Sequence, residues 1–382
     1  MTKTPRLLVA SGIFHPEPGG PATYLHEILP ALQALGWQVR VLTFGSGGTE
    51  TPYPVARVPR GALPLRYARY GALALRELAR ADLAYAHTVD LPFVTRWPAF
   101  PRVPRVLKVV GDFAWERAIR RGWVAPTTDV DAFQTMRLSG AAAANTAARS
   151  AQVRAMRGVI VPSEYLRQMV LGWGADAQQV RVIYNALPPM TGERLTRQQA
   201  RQRLRLDDRP TILTAARLNP WKGVDHLMTA LDAVPDACLL VAGDGEDLPR
   251  LKALAESLRL GDRVRFMGRL PREALYQAMQ AADYFALYSG YEGLAHTLLE
   301  SLRVGTPLIA SAKGGNTEVV RHGVNGLLVP YVDVEALRDA LRLAFSGATH
   351  AELSARTHEG MERFTFDHMV ARTDEALRGW LG

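Results

Sequence analysis

The chain has 382 residues, of which 48% are hydrophobic and 22% charged, a composition that supplies packed cores and excludes a largely disordered protein. At about 100–200 residues per domain, this length predicts two domains, or three at most. The net charge of +9 is uneven: residues 1–190 carry 22 basic and 12 acidic side chains, a net +10, while residues 191–382 carry 24 and 25, a net −1. The basic character therefore belongs to the first half.

Cysteine content and hydropathy exclude two further classes. The single cysteine, Cys238, is incompatible with a disulfide framework or a thiolate metal site. The longest stretch without Asp, Glu, Lys or Arg is the twelve residues 28–39, and a membrane-spanning helix needs about 20. Lys3 and Arg6 precede an apolar run as in a signal peptide, but cleavage there would remove the first predicted strand. We therefore expect a cytoplasmic protein.

The first half has the pattern of a parallel sheet covered by helices. A strand at Arg6–Ser11 is followed by a Gly/Pro-rich loop, a helix that ends before Gly36, and a strand at Trp37–Phe44. This order is that of a βαβ unit. Further strands are predicted at Leu83–Ala86, Val106–Val110, Gly158–Val161 and Val180–Tyr184.

After a linker at Asn185–Pro189, the alternation of strands and helices begins again. Strands are predicted at Thr211–Ala216, Ala237–Ala242, Arg263–Met267, Tyr284–Leu287, Pro307–Ala310 and Leu327–Val329. Two such arrays predict an α/β protein with two Rossmann-like, doubly wound parallel-sheet domains that face an interdomain cleft. We place the domains at residues 1–187 and 188–361, with a last helix at about 362–382 that packs back on the first.

Two carboxylates, Glu292 and Glu300, lie eight residues apart after the strand predicted at Tyr284–Leu287. On a helix, side chains eight apart differ by about 80° in direction, so both can face one side. The amides of residues 293–295, at a helix start, suit an anion such as phosphate, and the carboxylates suit hydroxyls of a ribose or another sugar. Two solvated acids on a helix have the same spacing.

Two loops after other predicted strands carry cations and glycines. Arg217 and Lys222 lie five residues apart, a spacing that can hold a diphosphate but that also suits two solvated cations. Gly314 and Gly315 form a turn that permits close approach to a ligand. Glu318 follows in the first turn of a helix, where capping explains it equally well.

Taken in order, these motifs resemble those of the retaining nucleotide-sugar glycosyltransferases of family 4, which have the GT-B fold. They are Arg-x4-Lys-Gly from Arg217, Glu-x7-Glu from Glu292, Gly-Gly-x2-Glu-Val-Val from Gly314 and Asn-Gly-Leu-Leu-Val from Asn325. The resemblance covers essentially the whole chain and is strongest over residues 211–330. It implies the GT-B arrangement of two Rossmann-like domains, the first for the acceptor and the second for the nucleotide-sugar donor.

The resemblance also implies roles for individual residues. Arg217 and Lys222 would hold the donor diphosphate, Glu292 would contact the transferred sugar, and Glu300 would bind the ribose. Other donor-binding positions would be Gly19, Gly20, Arg269, Leu270, Gly293, Leu294 and Ala295. Transfer would retain the anomeric configuration, with the leaving diphosphate helping to deprotonate the acceptor. Apart from the nucleotide-diphosphate sugar, no cofactor and no metal is expected.

The first half departs from the family pattern at one position. Family members often carry a histidine after the strand predicted at Val106–Val110, where this chain has Gly111-Asp112. Asp112 is the candidate catalytic residue there, through a hydroxyl of sugar or acceptor, although capping of the next segment explains it as well. His87 is the nearest histidine, and a structural role suits it. Asp129-Val130-Asp131 matches a metal-binding pattern of another glycosyltransferase fold, but such short patterns are common by chance.

Six arginines between residues 57 and 80 alternate with leucine and tyrosine, as in segments that rest on anionic membranes. Because the first domain of the family binds the acceptor, we expect an anionic or lipid-linked acceptor and peripheral contact with the inner membrane face. A soluble arginine-rich surface, with its apolar residues covering the sheet, explains the same pattern. No nucleic-acid-binding module is recognised.

The features together predict a retaining hexosyltransferase that uses a UDP- or GDP-sugar and a hydroxyl acceptor, which is a glycan, a lipid-linked sugar or a small molecule. Polysaccharide or glycolipid biosynthesis is the expected context. The alternatives are an epimerase or a phosphorylase on the same fold, or a non-catalytic sugar-nucleotide-binding protein. A phosphorylase would usually need pyridoxal phosphate on a lysine, and none of the five lysines has such a context.

Overall fold

The computed structural model of the protein describes residues 4–17, 19–48, 50–87, 103–190 and 193–381. The chain forms two compact units. The first comprises Met1–Val124, Gln134–Tyr184 and Phe366–Gly382, and the second comprises Ala125–Phe133 and Asn185–Thr365. The sequence analysis placed the division three residues later, at 187/188, and did not anticipate that Ala125–Phe133 belongs with the second unit.

The first unit is built on a sheet whose seven described strands are all parallel. The strands are β1 (Arg6–Ser11), β2 (Gln38–Phe44), β3 (Val55–Val58), β4 (Leu83–His87), β5 (Arg105–Lys108), β6 (Gly158–Val161) and β7 (Val180–Val182), in the order β3-β2-β1-β4-β5-β6-β7. The helices described between Gly20 and Gly172 are α1 (Gly20–Ala34), α2 (Leu63–Leu78), α3 (Phe113–Arg120), α4 (Val130–Thr135), α5 (Gly140–Arg154) and α6 (Glu164–Gly172), of which α4 begins in the segment that belongs to the second unit.

The second unit has a six-stranded parallel sheet in its described residues. Its strands are β8 (Thr211–Ala215), β9 (Cys238–Ala242), β10 (Val264–Gly268), β11 (Tyr284–Leu287), β12 (Leu308–Ser311) and β13 (Gly326–Val329). Its helices are α7 (Arg197–Leu204), α8 (Val224–Ala230), α9 (Leu248–Ser257), α10 (Arg272–Ala281), α11 (His296–Val304), α12 (Asn316–Val319), α13 (Val334–Ala344) and α14 (Gly347–Ala355). The last helix of the chain, α15 (Phe366–Gly379), belongs to the first unit.

Strand order shows that both sheets are doubly wound, as predicted. In the second unit the order is β10-β9-β8-β11-β12-β13, so the chain runs outward from β8 in one direction and outward from β11 in the other. In the first unit the same reversal occurs between β1 and β4. Open α/β sheets bind their ligands at such a reversal, beyond the carboxyl ends of the strands. The topology therefore predicts a ligand site at the loops that follow β8 and β11.

Burial explains which strands the sequence revealed and which it did not. Strands β4, β8 and β9 are buried along their whole length, so each is a mostly apolar run in the sequence, interrupted only by His87 in β4 and by Thr211 and Thr214 in β8. Strand β3 was missed in the sequence analysis. It is an edge strand of four residues that are mostly only half-buried, and it includes Arg57, so it has no comparable run.

Helix α15 is attached to the first unit by its polar and aromatic side chains. The indole Nε1 of Trp37 donates to Asp374 Oδ1 at 2.6 Å, and the guanidinium of Arg378 lies 5.2 Å from the centroid of the Trp37 ring. A Cβ atom on Gly158 in β6 would overlap the ring of Trp380. These contacts place the end of the chain against α1 and β6.

A row of polar side chains is buried in the first unit near the carboxyl ends of its strands. Ser11, His87 and Lys108 are register neighbours on β1, β4 and β5, and each is at most 1% exposed. The Lys108 Nζ lies 4.1 Å from the ring centroid of Tyr24 and has no hydrogen-bond partner among the described residues. Because the ammonium form is poorly solvated there, burial lowers the pKa of Lys108 to about 7.

Substitution Lys108→Met should stabilise the protein at pH 7. An unfolded lysine has a pKa of about 10.4, so between pH 7 and 10 the unfolded chain binds a proton that the folded chain lacks. The free energy of unfolding of the natural chain therefore rises over this range, and the advantage of the variant shrinks by about 1.4 kcal/mol per pH unit. Urea unfolding at several pH values measures this, with the exposed Lys252→Met as control. A pH-independent difference would contradict the burial of a titrating amine.

Candidate functional site

Most of the predicted site residues lie in the loops at the carboxyl edge of the second sheet. Because the strands are parallel, their carboxyl ends share one edge. Arg269 follows β10, Asp244 follows β9, Arg217 follows β8, Glu292 follows β11 and Lys313 follows β12. The edge therefore presents charged side chains from five adjacent loops.

Lys222 and Glu292 form an ion pair that joins the loops after β8 and β11. The distance from Lys222 Nζ to Glu292 Oε1 is 2.6 Å, and the side chains are only 15% and 14% exposed. Gly223, with φ 63°, brings the two loops close together, since a Cβ atom there would overlap the carbonyl oxygen of Tyr288. Carboxylate and ammonium are thus held side by side, and Glu292 Oε2 has no donor among the described residues.

Arg217 is exposed, and its guanidinium has no ion-pair partner among the described residues. Backbone contacts hold its loop instead. Leu218 N–H donates to the carbonyl of Asp244 at 3.1 Å, and Asp247 N–H donates to the carbonyl of Leu218 at 3.0 Å. A Cβ atom on Gly245 would overlap the carbonyl oxygen of Leu218. The loop is therefore fixed while the cation at its tip is available to an anion.

The amides of residues 293–295 point to an anion site. Helix α11 begins at His296, and no side chain caps it. Within the described part of the chain, these three amides donate to no carbonyl and no side chain. Gly315 N–H donates to the carbonyl of Glu292 at 2.8 Å, and a Cβ atom on Gly315 would overlap the carbonyl oxygen of Gly293. Unpaired amides at a helix start attract phosphate.

The argument from helical spacing for Glu292 and Glu300 is wrong. Glu292 lies in the loop, four residues before α11 begins, so the two carboxylates do not share a helix face. Glu300 is on the helix and only 8% exposed. The relative position of the two carboxylates depends on the path of the loop before α11, and sequence spacing alone does not determine that path.

Glu300 lies at the end of a short chain of hydrogen bonds from α10. Arg272 Nε donates to the Tyr276 hydroxyl at 3.0 Å, and this hydroxyl donates to Glu300 Oε1 at 3.4 Å. Burial raises the pKa of Glu300 above the usual carboxyl range, while the charge of Arg272 opposes the change. Arg272 and Tyr276 were not among the predicted site residues. Their i,i+4 spacing was the available signal.

The loops after β9 and β10 lie side by side. Gly243 N–H donates to the carbonyl of Gly268 at 2.7 Å, and Arg269 Nε lies 3.5 Å from Asp244 Oδ2. Arg269 is exposed and Leu270 is half-buried, so both are open to a ligand at this edge. The sequence analysis did not single out Gly243-Asp244-Gly245, although glycines directly after a strand are a recognised signal.

In the first unit, Gly19 and Gly20 begin helix α1. Gly19 has φ 150°, a value that favours glycine, and its carbonyl accepts from Thr23 N–H at 3.0 Å. A Cβ atom on Gly20 would meet no atom within 4 Å, so the backbone there is open. Their role in donor binding stays a prediction.

Asp112 is fully buried and is surrounded by donors of its own unit. Its Oδ1 caps α3 by accepting from Ala114 N–H at 2.9 Å and Trp115 N–H at 3.3 Å. Its Oδ2 accepts from Gln134 Nε2 at 3.0 Å and Arg149 Nη1 at 2.5 Å. These contacts favour the capping interpretation. The catalytic role of Asp112 stays a prediction that would require one of these partners to be released.

The described residues contain no cluster of three or more His, Cys, Asp or Glu side chains that could hold a metal ion. The Asp-x-Asp pair instead contacts a lysine. Lys313 Nζ lies 3.0 Å from Asp129 Oδ2 and 2.9 Å from Asp131 Oδ2.

Comparison with known proteins covers both units. Residues 18–189 match Glycosyltransferase Family 4, and residues 196–360 match Glycosyl transferases group 1. The chain is 33% identical over 235 residues to D-inositol 3-phosphate glycosyltransferase of Xylanimonas cellulosilytica, which covers 58% of this chain and 56% of the relative. It is also 33% identical over 196 residues to the GDP-mannose-dependent alpha-(1-6)-phosphatidylinositol monomannoside mannosyltransferase of Mycobacterium tuberculosis, covering 48% and 51%. The chain thus spans about half the length of these relatives.

Among solved structures, Anabaena HepE in complex with UDP and glucose is 22% identical to this chain. It superposes with a TM-score of 0.80 over 98% of this chain and 100% of the HepE chain. This likeness confirms the predicted GT-B fold.

Substitution Asp112→Asn should destabilise the protein by about 3–5 kcal/mol, because it leaves the guanidinium of Arg149 buried without its counter-ion. Urea unfolding measures the change. Asp232→Asn is the matched control: its pair with Arg338 is at 2.7 Å, but the aspartate is 59% exposed, so we expect a loss of at most about 1 kcal/mol. Equal losses in the two variants would contradict a structural role for the buried pair.

Proposed function

Because the chain belongs to the group 1 and family 4 glycosyltransferases, we propose that it moves a hexose from a nucleotide-diphosphate sugar to a hydroxyl acceptor with retention at the anomeric carbon. One observation carries the proposal. Glu292, whose Oε1 lies 2.6 Å from Lys222 Nζ, is in the same loop as the three unpaired amides of residues 293–295. Sites for a carbohydrate hydroxyl and for a phosphate are therefore adjacent in the chain.

The donor site uses both charge and backbone. Arg217, Lys222 and the amides before α11 bind the diphosphate, which the positive end of the helix dipole also favours. Glu300 accepts hydrogen bonds from the ribose hydroxyls. The relative from M. tuberculosis is named for GDP-mannose, and HepE was solved with UDP, which supports GDP or UDP as the nucleotide. Gly19 and Gly20 let the backbone at the start of α1 contact the donor closely.

In the reaction, the bond between the anomeric carbon and the diphosphate oxygen breaks while a bond to the acceptor oxygen forms on the same face of the sugar. The acceptor proton passes to an oxygen of the leaving diphosphate. Negative charge grows on the diphosphate, and Arg217 and Lys222 stabilise it. Glu292 keeps Oε1 on Lys222 and offers Oε2 to a sugar hydroxyl. The positive charge at the diphosphate comes from side chains of this chain, and no metal is part of the proposal.

A donor panel tests the reaction class. The chain is incubated with UDP- and GDP-hexoses, with and without hydroxyl acceptors, and free nucleotide diphosphate and the sugar product are measured. A glycosyltransferase releases the diphosphate in proportion to the acceptor. An epimerase returns an isomerised sugar nucleotide, a phosphorylase requires inorganic phosphate, and a binding protein gives no product, so any of these outcomes would contradict the proposal.

Two substitutions should separate chemistry from binding. Lys222→Met should lower kcat by about 100-fold or more, because its charge acts on the diphosphate as the bond breaks. Glu300→Gln should raise the donor KM by about tenfold at nearly constant kcat, because ribose contacts are the same in the ground and transition states. Steady-state kinetics measures both, with Lys252→Met as control. Near-normal kcat in Lys222→Met would contradict the diphosphate assignment.

We further propose that the first unit contacts an anionic membrane surface through α2. Leu63 and Leu65 are 60% and 54% exposed at the start of this helix, next to exposed arginines, whereas Tyr70 and Ala74 pack into the core. No described helix has the length and apolar character of a membrane span. Amphipathic helices of this kind bind lipid by leucine insertion and arginine–phosphate attraction. The lipid and phosphate acceptors in the names of two relatives support an anionic acceptor.

The chain should sediment with anionic phosphatidylglycerol vesicles at low salt and not with neutral phosphatidylcholine vesicles, because the attraction is electrostatic. The double variant Leu63→Ser, Leu65→Ser should lose most of this binding. Leu343→Ser, which alters a leucine 49% exposed in the second unit, should bind as the natural chain does. Absence of binding by the natural chain at low salt would refute the membrane proposal.

A further inference from the structure

The short segment Ala125–Phe133 belongs to the second unit, although the chain on both sides of it belongs to the first. Its two aspartates are fixed in place by the start of α4. Asp129 Oδ1 accepts from Asp131 N–H at 2.9 Å and Ala132 N–H at 3.2 Å, which caps the helix. Asp129 Oδ2 and Asp131 Oδ2 then contact Lys313 Nζ at 3.0 and 2.9 Å. The lysine is therefore held at two points by a preformed pair.

Lys313 immediately precedes the glycine turn that contacts the candidate donor loop. Gly314 has φ 57°, and its carbonyl accepts from Thr317 Oγ1 at 3.0 Å. The next residue, Gly315, donates to the carbonyl of Glu292 and lies directly against Gly293. A shift of the Lys313 backbone is thus transmitted, two residues later, to the loop that carries the unpaired amides.

We infer that Asp129 and Asp131 are positioning residues for donor binding, acting through Lys313. This inference rests on the proposed function of the site. The two carboxylates hold the Lys313 ammonium away from the diphosphate and fix the glycine turn against residues 292–294. An Asp-x-Asp pattern that binds a metal ion in other proteins here binds the ammonium group of a lysine.

Charge supports a positioning role rather than a phosphate-binding role for Lys313. The two carboxylates offset the positive charge of the ammonium, so Lys313 offers a diphosphate little attraction. The neighbouring carboxylates also raise the pKa of Lys313, so the ammonium form is maintained at neutral pH. Lys313 is only 28% exposed, so its geometry is more restricted than that of a fully solvated lysine.

Donor affinity should depend on the position of the loop that carries the unpaired amides of residues 293–295. The measurements are the Kd for UDP and GDP by calorimetry, and the donor KM and kcat with the donor that the panel identifies. Lys313→Met should raise Kd and KM by about tenfold, which is the size expected when a loop of binding amides is displaced. The kcat should stay within about twofold, because Arg217 and the Lys222–Glu292 pair, whose charges act on the diphosphate as the bond breaks, are untouched.

Two milder variants test the same inference if Lys313→Met folds poorly. Asp131→Asn leaves one carboxylate on the ammonium, so its increase in Kd should be smaller, about threefold. Asp129 is left intact because it also caps α4. Lys313→Arg retains a cation, and its guanidinium can donate to both carboxylates, so it should restore affinity to within about twofold of the natural chain. A surface ion pair without a positioning role would show neither this gradation nor rescue by arginine.

Asp232→Asn is the control, since it breaks a comparable ion pair with Arg338 within the same unit and should leave nucleotide affinity unchanged. If the natural chain binds nucleotide and Lys313→Met binds it equally well, the positioning role is wrong and the proposed function stands. If the natural chain binds neither UDP nor GDP, the proposed function itself is wrong. A fall in kcat with unchanged Kd and KM would also overturn the inference.

Discussion

The loop arrangement of the second unit depends on close contacts between backbone segments. These contacts are possible only because glycines, which have no Cβ atom, lie at them. At its carboxyl edge, Gly223, Gly243, Gly245 and Gly315 each lie so close to a carbonyl oxygen of another loop that a Cβ atom would overlap it. Four loops are thereby held together by main-chain contact, with hydrogen bonds of 2.7–3.1 Å between several of them. Rigid loops of this kind can hold charged groups at fixed positions without a close partner for each charge.

That constraint explains how a unit with almost no net charge can present an anion site. The second half of the chain has 24 basic and 25 acidic residues, and most of its arginines are engaged in ion pairs or hydrogen bonds with their neighbours. Arg217 is exposed and carries no such pair among the described residues, while Lys313 is neutralised by two aspartates. The electrostatic potential at the strand ends is set by the cations that have no ion-pair partner there, and the total charge of the unit does not predict it.

The regular elements of the fold could be predicted from the sequence because burial on both sheet faces produces apolar runs. The strands at Arg6–Ser11, Gly158–Val161 and Tyr284–Leu287 have the predicted ends. The candidate site was predicted only in part. Arg217, Lys222 and Glu292 lie in loops that follow parallel strands, and this follows from topology, whereas Glu300 lies on helix α11. The ion pair of Lys222 depends on loop paths, which have no periodic signal, and the hydrogen-bonded chain to Glu300 depends on the packing of α10 against α11.

The two units bury polar groups in different ways. In the proposed reaction, this difference affects which acceptors the first unit would bind. In the first unit Lys108, Glu77 and the Asp112–Arg149 pair are deeply buried and enclosed within the fold. Most of the remaining excess of basic side chains therefore lies nearer the surface, where exposed arginines accompany exposed leucines on α2. A polar acceptor without charge would gain nothing from such a surface, whereas a phosphate or an anionic lipid headgroup would gain from each arginine it contacts. Under the proposed function, the charge excess of the first half would therefore favour anionic acceptors, and the loops of the second unit would bind the transferred sugar.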